Sequence, residues 1–139
     1  MTSVVNMQKL TCVPKIGYYY NTTNNGSTLR NRTIDNLKKN YGDTQLVHET
    51  LKKFIDNLDD DYKRKVLTEA LNYSIIGFFY AMFVDRMPHQ YVANVIKKYE
   101  SLKLYPLKKT FHKKANYFRV LLNNKLLFLA VEYLRFKTT

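Results

Sequence analysis

The sequence predicts a mainly α-helical fold, a helical bundle of about four to five helices with a short N-terminal β-strand or hairpin. Three observations support this fold class. Apolar residues recur three and four positions apart along most of residues 34–134. The 139 residues include only 4 Gly and 3 Pro, so few positions interrupt a helix. Residues 10–20 are instead rich in β-branched and aromatic side chains, and the turn-forming sequence NTTNNGS follows at residues 21–27.

The first predicted helix follows Thr33, a residue type that caps helix N-termini well. Its apolar stripe runs through residues 34–58, and Val47 and Phe54 widen it, so one face of the helix is apolar. The Gly-Asp pair at residues 42–43 predicts a break or bend within this helix.

The second predicted helix begins at the acidic triplet of residues 59–61, because negative charge is stabilised at a helix N-terminus. It becomes apolar nearly all round through Phe83, as is typical of the central helix of a bundle. Its longest apolar stretch, residues 75–84, is too short to span a bilayer. With no secretory signal sequence evident, we expect a protein that is not integral to the membrane.

Later segments are also predicted to be helical. Pro88 opens a third helix at its first turn, and an extended break follows at residues 104–107. A fourth segment covers residues 111–122, and Asn-Asn at residues 123–124 interrupts it before a last apolar segment at residues 126–134. We therefore expect a strand and loop segment at residues 1–28 and a helical domain at residues 29–139.

Positive charge is concentrated in the second part of the chain. Residues 86–139 hold 12 of the 23 Lys and Arg but only 2 of the 11 Asp and Glu, and so account for +10 of the net charge of +12. Such a segment attracts phosphate-bearing partners, although a solvated basic face that only keeps the protein soluble gives the same pattern.

Lysines and aromatic residues alternate within this basic segment, an arrangement found in helices that lie on anionic membranes. The same composition suits single-stranded nucleic acid, but no recognition helix or RNA-binding motif accompanies it, so a membrane surface is favoured. A buried aromatic core with solvated lysines remains an open alternative. The residues predicted to contact the membrane or an anion are Lys108, Lys109, Lys113, Lys114 and Arg119.

Catalytic and metal-binding motifs are not found in the sequence. Cys12 is the single cysteine, which excludes an internal disulfide and a cysteine-based zinc site. His48, His89 and His112 lack the spacing of metal ligands, and a histidine satisfied by the core or exposed to solvent is favoured over a general base at each. For the acidic triplet at residues 59–61, helix capping is favoured over a divalent-cation site.

Two short motifs resemble bacterial family 2 glycosyltransferases. Residues 14–21 (PKIGYYYN) and 25–28 (NGST) are similar to the strand and loop that follow the catalytic acidic motif in that family. Tyr20, Ser27 and Thr28 match the pattern, whereas Asn21 replaces its usual Arg and the loop is one residue longer. Residues 102–108 (LKLYPLK) resemble an element of the C-terminal helical region, especially in enzymes from Bacteroides-like bacteria.

The resemblance implies that the chain is the C-terminal, acceptor-side portion of a glycosyltransferase that acts in cell-surface polysaccharide synthesis. Residues 1–28 would then be a remnant of the nucleotide-sugar transferase core, and this chain would be inactive alone, with no cofactor of its own. The full enzyme would use a divalent metal such as Mn²⁺ or Mg²⁺. The residues implied to line the acceptor side are Tyr19, Tyr20, Asn21, Ser27 and Thr28.

The implied partners are a catalytic half of a glycosyltransferase, or a lipid-linked acceptor at the membrane surface, and the implied location is cytoplasmic or peripheral on the inner membrane face. The alternative is a stand-alone basic helical module that binds an anionic membrane surface, a protein partner or nucleic acid. Association into a homo-oligomer is left open under both hypotheses.

Overall fold

The computed structural model describes residues 33–137. This part of the chain folds into the helices α1 (Ile34–Asp56), α2 (Asp61–Val84), α3 (His89–Ser101), α4 (Lys113–Asn123) and α5 (Lys125–Lys137). Residues 33–137 contain no strand, and the predicted mainly α-helical bundle is confirmed for them. The predicted strand or hairpin within residues 1–28 lies outside the described residues.

Helix α1 begins at the predicted position. The Thr33 side chain accepts a hydrogen bond from the backbone N–H of Asn36 at 3.4 Å and so satisfies one of the free donors of the first turn. The helix then continues without interruption through Gly42 and Asp43, so the predicted break is wrong. A single Gly in a helix costs about 1 kcal/mol relative to Ala, which the packing of a 23-residue amphipathic helix can offset.

The acidic triplet between α1 and α2 acts as a helix cap. Asp60 is the N-cap of α2, and its carboxylate accepts a hydrogen bond from the backbone N–H of Lys63 at 2.9 Å. This bond is the main reason that the pKa of Asp60 lies below its ordinary value. Asp61, the first residue of α2, pairs with Arg64 at 2.8 Å. The capping role predicted for the triplet is therefore confirmed.

Helix α2 forms the centre of the bundle, as its sequence predicted. It packs against α1 and α4, while α5 packs against α3 and α4. Ring pairs meet edge to face in the core: Phe79 and Phe128 lie 6.4 Å apart between centroids, and Phe118 and Phe128 lie 5.8 Å apart. The apolar side chains with no exposed surface are Ile75, Phe79, Met82, Val92, Ile96, Leu122 and Phe128.

Helix α2 is also long and apolar enough, by length and composition alone, to cross a membrane. The central helix of a folded bundle passes the same test, and seven α2 residues are buried inside this one. This finding is weak evidence for a membrane span.

The interruption predicted at Asn123 and Asn124 is confirmed, because α4 ends at the first of these residues and α5 begins just after the second. Helix α5 buries Phe128 and Glu132, whereas Leu126 and Leu127 are exposed. The apolar stripe of α1 likewise differs from the prediction at Val47, which is exposed. Both faces of α5 carry apolar residues, so the sequence pattern alone does not select the buried one.

Residues 102–112 connect α3 to α4 without helix, in agreement with the predicted extended break. Side-chain amides of α4 hold this connection. Asn123 accepts from the backbone N–H of Leu107 and donates to its carbonyl, both at 2.8 Å. Asn116 likewise accepts from the backbone N–H of Thr110 at 3.0 Å and donates to its carbonyl at 2.7 Å. The connection is thus fixed by paired hydrogen bonds at two positions.

Candidate functional site

The candidate functional site is the surface that α2 forms with the connection 102–112 and α4. The basic and aromatic residues singled out in the sequence meet α2 here. Asn72 of α2 accepts a hydrogen bond from the backbone N–H of Lys108 at 3.3 Å, which fixes the start of a basic pair against the helix. Tyr73, the next α2 residue, stacks on His112 with ring centroids 5.2 Å apart. The surface therefore follows α2 from a basic region into an aromatic one.

Lys108 and Lys109 line one cavity together with residues from the first half of α2. This basic cavity has a volume of about 440 Å³. It contains four cationic side chains and two carboxylates, Asp61 and Glu69, of which Asp61 already pairs with Arg64. The residues that line it are Asp61, Arg64, Lys65, Thr68, Glu69, Asn72, Lys108 and Lys109.

The lysines of this surface are available to a ligand. None of the ion pairs within residues 33–137 involves Lys65, Lys108 or Lys109. Other lysines of the chain are engaged: Lys125 pairs with Glu100 at 2.7 Å. The three lysines of the basic cavity, unlike Arg64, are therefore not neutralised by neighbouring carboxylates of the described residues.

A smaller cavity of about 230 Å³ lies on the other side of Lys108. It shares Thr68, Asn72 and Lys108 with the basic cavity and adds Lys103, whose backbone adopts a left-handed conformation (φ 57°). The pair Lys52 and Asp56 closes its α1 side. The basic region thus extends around both sides of Lys108.

Lys113 and Lys114 are exposed at the first turn of α4. Phe111, immediately before that turn, is 70% exposed, and Tyr117, one turn further on, is 79% exposed. Exposed aromatic rings beside exposed lysines are not explained by the alternative in which the aromatic residues form only core.

Arg119 differs from the four predicted lysines. Its guanidinium donates to the carbonyl of Leu107 at 3.2 Å and to the side chain of Asn116 at 3.3 Å. It therefore holds the connection 102–112 to α4. The other predicted site residues, Tyr19, Tyr20, Asn21, Ser27 and Thr28, lie outside the described residues.

A third cavity, which is apolar, follows the basic one along α2 and has a volume of about 360 Å³. Gly77 forms part of its wall, and a Cβ atom added there would meet no atom within 4 Å. The lining residues are Tyr73, Ile76, Gly77, Tyr80, His112, Lys114, Ala115 and Phe118. Sequence reasoning missed the α2 contribution, although Lys65, Glu69, Tyr73 and Gly77 recur every four residues and so share one face of the helix.

A separate polar network joins α1, α2 and α3. His48 hydrogen-bonds through Nδ1 to the Tyr99 hydroxyl at 2.7 Å and through Nε2 to the Ser74 hydroxyl at 2.9 Å. Burial lowers the pKa of His48 to about 4, so its imidazole is neutral at pH 7. Burial also raises the pKa of Tyr99 above its ordinary value. None of the three cavities includes these residues. The network satisfies a core histidine, one of the two interpretations that the sequence favoured over a general base.

Titratable groups do not form a metal site in the described part of the chain. Residues 33–137 contain no group of three His, Cys, Asp or Glu side chains that could hold an ion. Comparison with family models, with curated proteins and with solved structures finds no match to this chain.

Proposed function

We propose that this chain is a basic helical module that docks on an anionic membrane surface. The observation that carries the proposal is the exposure of Phe111 and Tyr117 directly beside Lys113 and Lys114 at the start of α4. Aromatic rings lower their free energy by entering the headgroup region, while lysines are attracted to anionic lipid.

A further feature supports the same surface. Lys108 and Lys109 belong to the connection that leads into α4, and paired amide hydrogen bonds fix this connection, so ordering its backbone on binding costs little entropy.

Vesicle co-sedimentation tests the proposal. The full chain is expected to bind vesicles that contain anionic lipid, and to bind less as the salt concentration rises, because screening weakens the attraction of lysines. Each lysine near the surface contributes about 1 kcal/mol, so the double variant Lys113→Gln/Lys114→Gln should lower the partition coefficient about 30-fold.

The control is the variant Lys39→Gln/Lys97→Gln, which removes the same charge from exposed positions on α1 and α3. This control variant should retain most of the vesicle binding if binding depends on the lysines at the start of α4 rather than on the net charge of the chain. Equal binding to neutral and anionic vesicles, or no binding at high lipid concentration, would contradict the proposal. Tighter binding to single-stranded RNA than to anionic vesicles would favour the nucleic-acid alternative.

A second candidate function rests on the sequence resemblance to family 2 glycosyltransferases. We propose under it that the helical domain supports the acceptor side of such an enzyme and that a divalent metal acts in the catalytic half. The specific observation is that the Tyr-Pro-Leu element, residues 105–107, leads directly into Lys108 and Lys109 of the basic cavity.

This candidate is tested by mixing the chain with a purified family 2 catalytic half in the presence of Mn²⁺. Sugar-nucleotide hydrolysis that occurs only in the mixture would support it. If the chain neither binds that half nor changes its activity, the membrane-docking module remains as the proposed function.

A further inference from the structure

The basic and apolar cavities adjoin each other along α2. Asn72 lines the basic cavity, and Tyr73, the next residue, lines the apolar one. On the opposite wall, Lys109 belongs to the basic cavity and His112 to the apolar one. The two cavities therefore lie in succession between α2 and residues 108–118, with the stacked rings of Tyr73 and His112 at their junction, and together they are here called the α2 groove.

Charge is distributed unevenly along the α2 groove. Its first part presents Lys65, Lys108 and Lys109, none of which pairs with a carboxylate of the described residues. The acidic side chains there are Asp61 and Glu69, and Arg64 neutralises the first of them. This end therefore has an excess of positive charge and suits a group with more than one negative charge.

The second part of the α2 groove is lined mainly by carbon. Ile76, Tyr80, Ala115 and Phe118 form its walls, and its single fully charged side chain is Lys114. Gly77 leaves open space where any other residue would place a side chain. A hydrocarbon chain that enters this part would leave water and contact the walls, which is favourable.

We propose that the α2 groove binds one molecule of an amphiphile that carries a phosphate group at one end and a hydrocarbon chain at the other. The phosphate lies among Lys65, Lys108 and Lys109, and the chain follows α2 past Tyr73 into the apolar part beside Gly77. Each cavity, at about 440 and 360 Å³, falls within the range of roughly 300–1,000 Å³ that is usual for small-molecule sites.

The dimensions of α2 fit such a ligand. Lys65 and Gly77 lie about 18 Å apart along the helix axis, at 1.5 Å per residue. A free phosphate would occupy only the basic part, and an uncharged detergent would gain nothing from the lysines. The proposal deepens the membrane-docking function and rests on it, because it assigns a single-lipid site to the surface that faces the bilayer.

The test uses the full chain and decyl phosphate, kept below the concentration at which it forms micelles, in isothermal titration calorimetry. One molecule should bind per chain. Its affinity should exceed those of inorganic phosphate and of decyl maltoside by about tenfold or more, because only decyl phosphate fills both parts of the groove. If decyl phosphate binds no more tightly than either control compound, the proposal is overturned.

The substitution Gly77→Leu blocks the apolar part of the groove without disturbing the fold, because the added side chain enters open space and Leu favours a helix more than Gly does. The matched control is Gly42→Leu on α1, because Gly42 is the other glycine in the helices of residues 33–137 and also has open space around it. Gly77→Leu should weaken decyl phosphate binding about tenfold or more, and Gly42→Leu should leave it unchanged. Equal effects of the two substitutions would overturn the proposal.

The basic part is tested by Lys65→Gln/Lys109→Gln, which should reduce the affinity for decyl phosphate to that for decyl maltoside. Vesicle binding separates this proposal from the docking function. Gly77→Leu keeps the lysines and aromatic rings at the start of α4, so it should still bind anionic vesicles. Wild-type protein that binds vesicles but not decyl phosphate would overturn the groove proposal and leave the docking function standing; failure to bind either would overturn both.

Discussion

His48 in α1 and Glu132 in α5 are two ionisable residues with nearly the same burial but different surroundings. Their exposed fractions are 2% and 1%. His48 forms a hydrogen bond at each ring nitrogen, to Tyr99 and to Ser74. The Oε1 atom of Glu132 has no hydrogen-bond partner among the described residues.

The pKa values of the two residues shift for the same reason but in opposite directions. Burial disfavours the charged form of each, which lowers the pKa of His48 to about 4 and raises that of Glu132 to about 7, with the charge of Arg135 opposing the second shift. A neutral imidazole has one donor and one acceptor nitrogen, so two hydroxyl groups satisfy it fully. The comparison shows that α1, α2 and α3 hold a satisfied polar residue, whereas α5 buries a carboxyl group at a cost in stability.

The largest effect is expected for His48→Ala. The substitution leaves a cavity beside Phe78, whose ring centroid lies 5.5 Å from that of the imidazole, and removes the partner of the Tyr99 hydroxyl. Both losses destabilise a buried site, and together they should lower the free energy of unfolding by about 3 kcal/mol. Urea denaturation followed by circular dichroism measures the change. If His48→Ala lowers the free energy of unfolding by less than a typical substitution at an exposed position, the His48 network does not stabilise the core as described.

The opposite sign is expected for Glu132→Gln. Glutamine keeps the shape of the side chain but has no charge, so at pH 8 it avoids the cost of burying a carboxylate, and the free energy of unfolding should rise by about 1–2 kcal/mol. The gain should disappear at pH 4, where Glu132 is protonated in both the folded and the unfolded states. Destabilisation at pH 8 would show instead that the carboxylate has a partner that stabilises it.

The dependence of stability on pH sharpens the comparison further. Unfolded His48 binds a proton below its ordinary pKa of 6.5, whereas the folded residue does so only below about 4, so its contribution to stability is lost as the pH falls from 6.5 to 4. Folded Glu132 keeps its proton up to a pKa of about 7 while the unfolded residue releases it near 4.5, so its contribution is lost as the pH rises from 4.5 to 7.

These two contributions oppose each other between pH 4.5 and 6.5. In the variant Glu132→Gln, the free energy of unfolding should therefore rise with pH because of His48 alone, by up to about 1.4 kcal/mol per pH unit. Urea denaturation at several pH values in this interval, on the wild type and on the variant, measures the difference. Identical slopes for the two proteins would exclude a shifted pKa at Glu132.

The sequence predicted the helices well but did not distinguish these two buried residues. His48 lies on the apolar stripe of α1, so its burial followed from spacing. Glu132 counted only as one of two acidic residues in the basic segment, whereas the packing of Phe128 against Phe79 and Phe118 turns its side of α5 inward. A choice between two apolar faces depends on tertiary contacts, which periodicity does not report.

The candidate site was predicted in part. Lys108, Lys109, Lys113 and Lys114 were identified from charge density, and the structure places all four at the surface. Sequence reasoning could not place α2 opposite them, because that depends on how the connection 102–112 folds back and is held by amide side chains. Sequence reasoning also could not distinguish Arg119 from the four lysines, because only the structure shows that its guanidinium donates to the Leu107 carbonyl.

The smallest effect is expected for Ser74→Ala. Ser74 contacts the same imidazole as Tyr99, but it is exposed, so water can replace its hydroxyl on Nε2 of His48. The free energy of unfolding should change by no more than about 0.5 kcal/mol. Tyr99→Phe, which removes the buried hydroxyl at 2.7 Å, should cost about 1–1.5 kcal/mol and serves as the matched variant. If Ser74→Ala and Tyr99→Phe lower the free energy of unfolding equally, both ring nitrogens of His48 are shielded from water. The hydrogen bond to Ser74 would then be more buried than the exposure of Ser74 indicates.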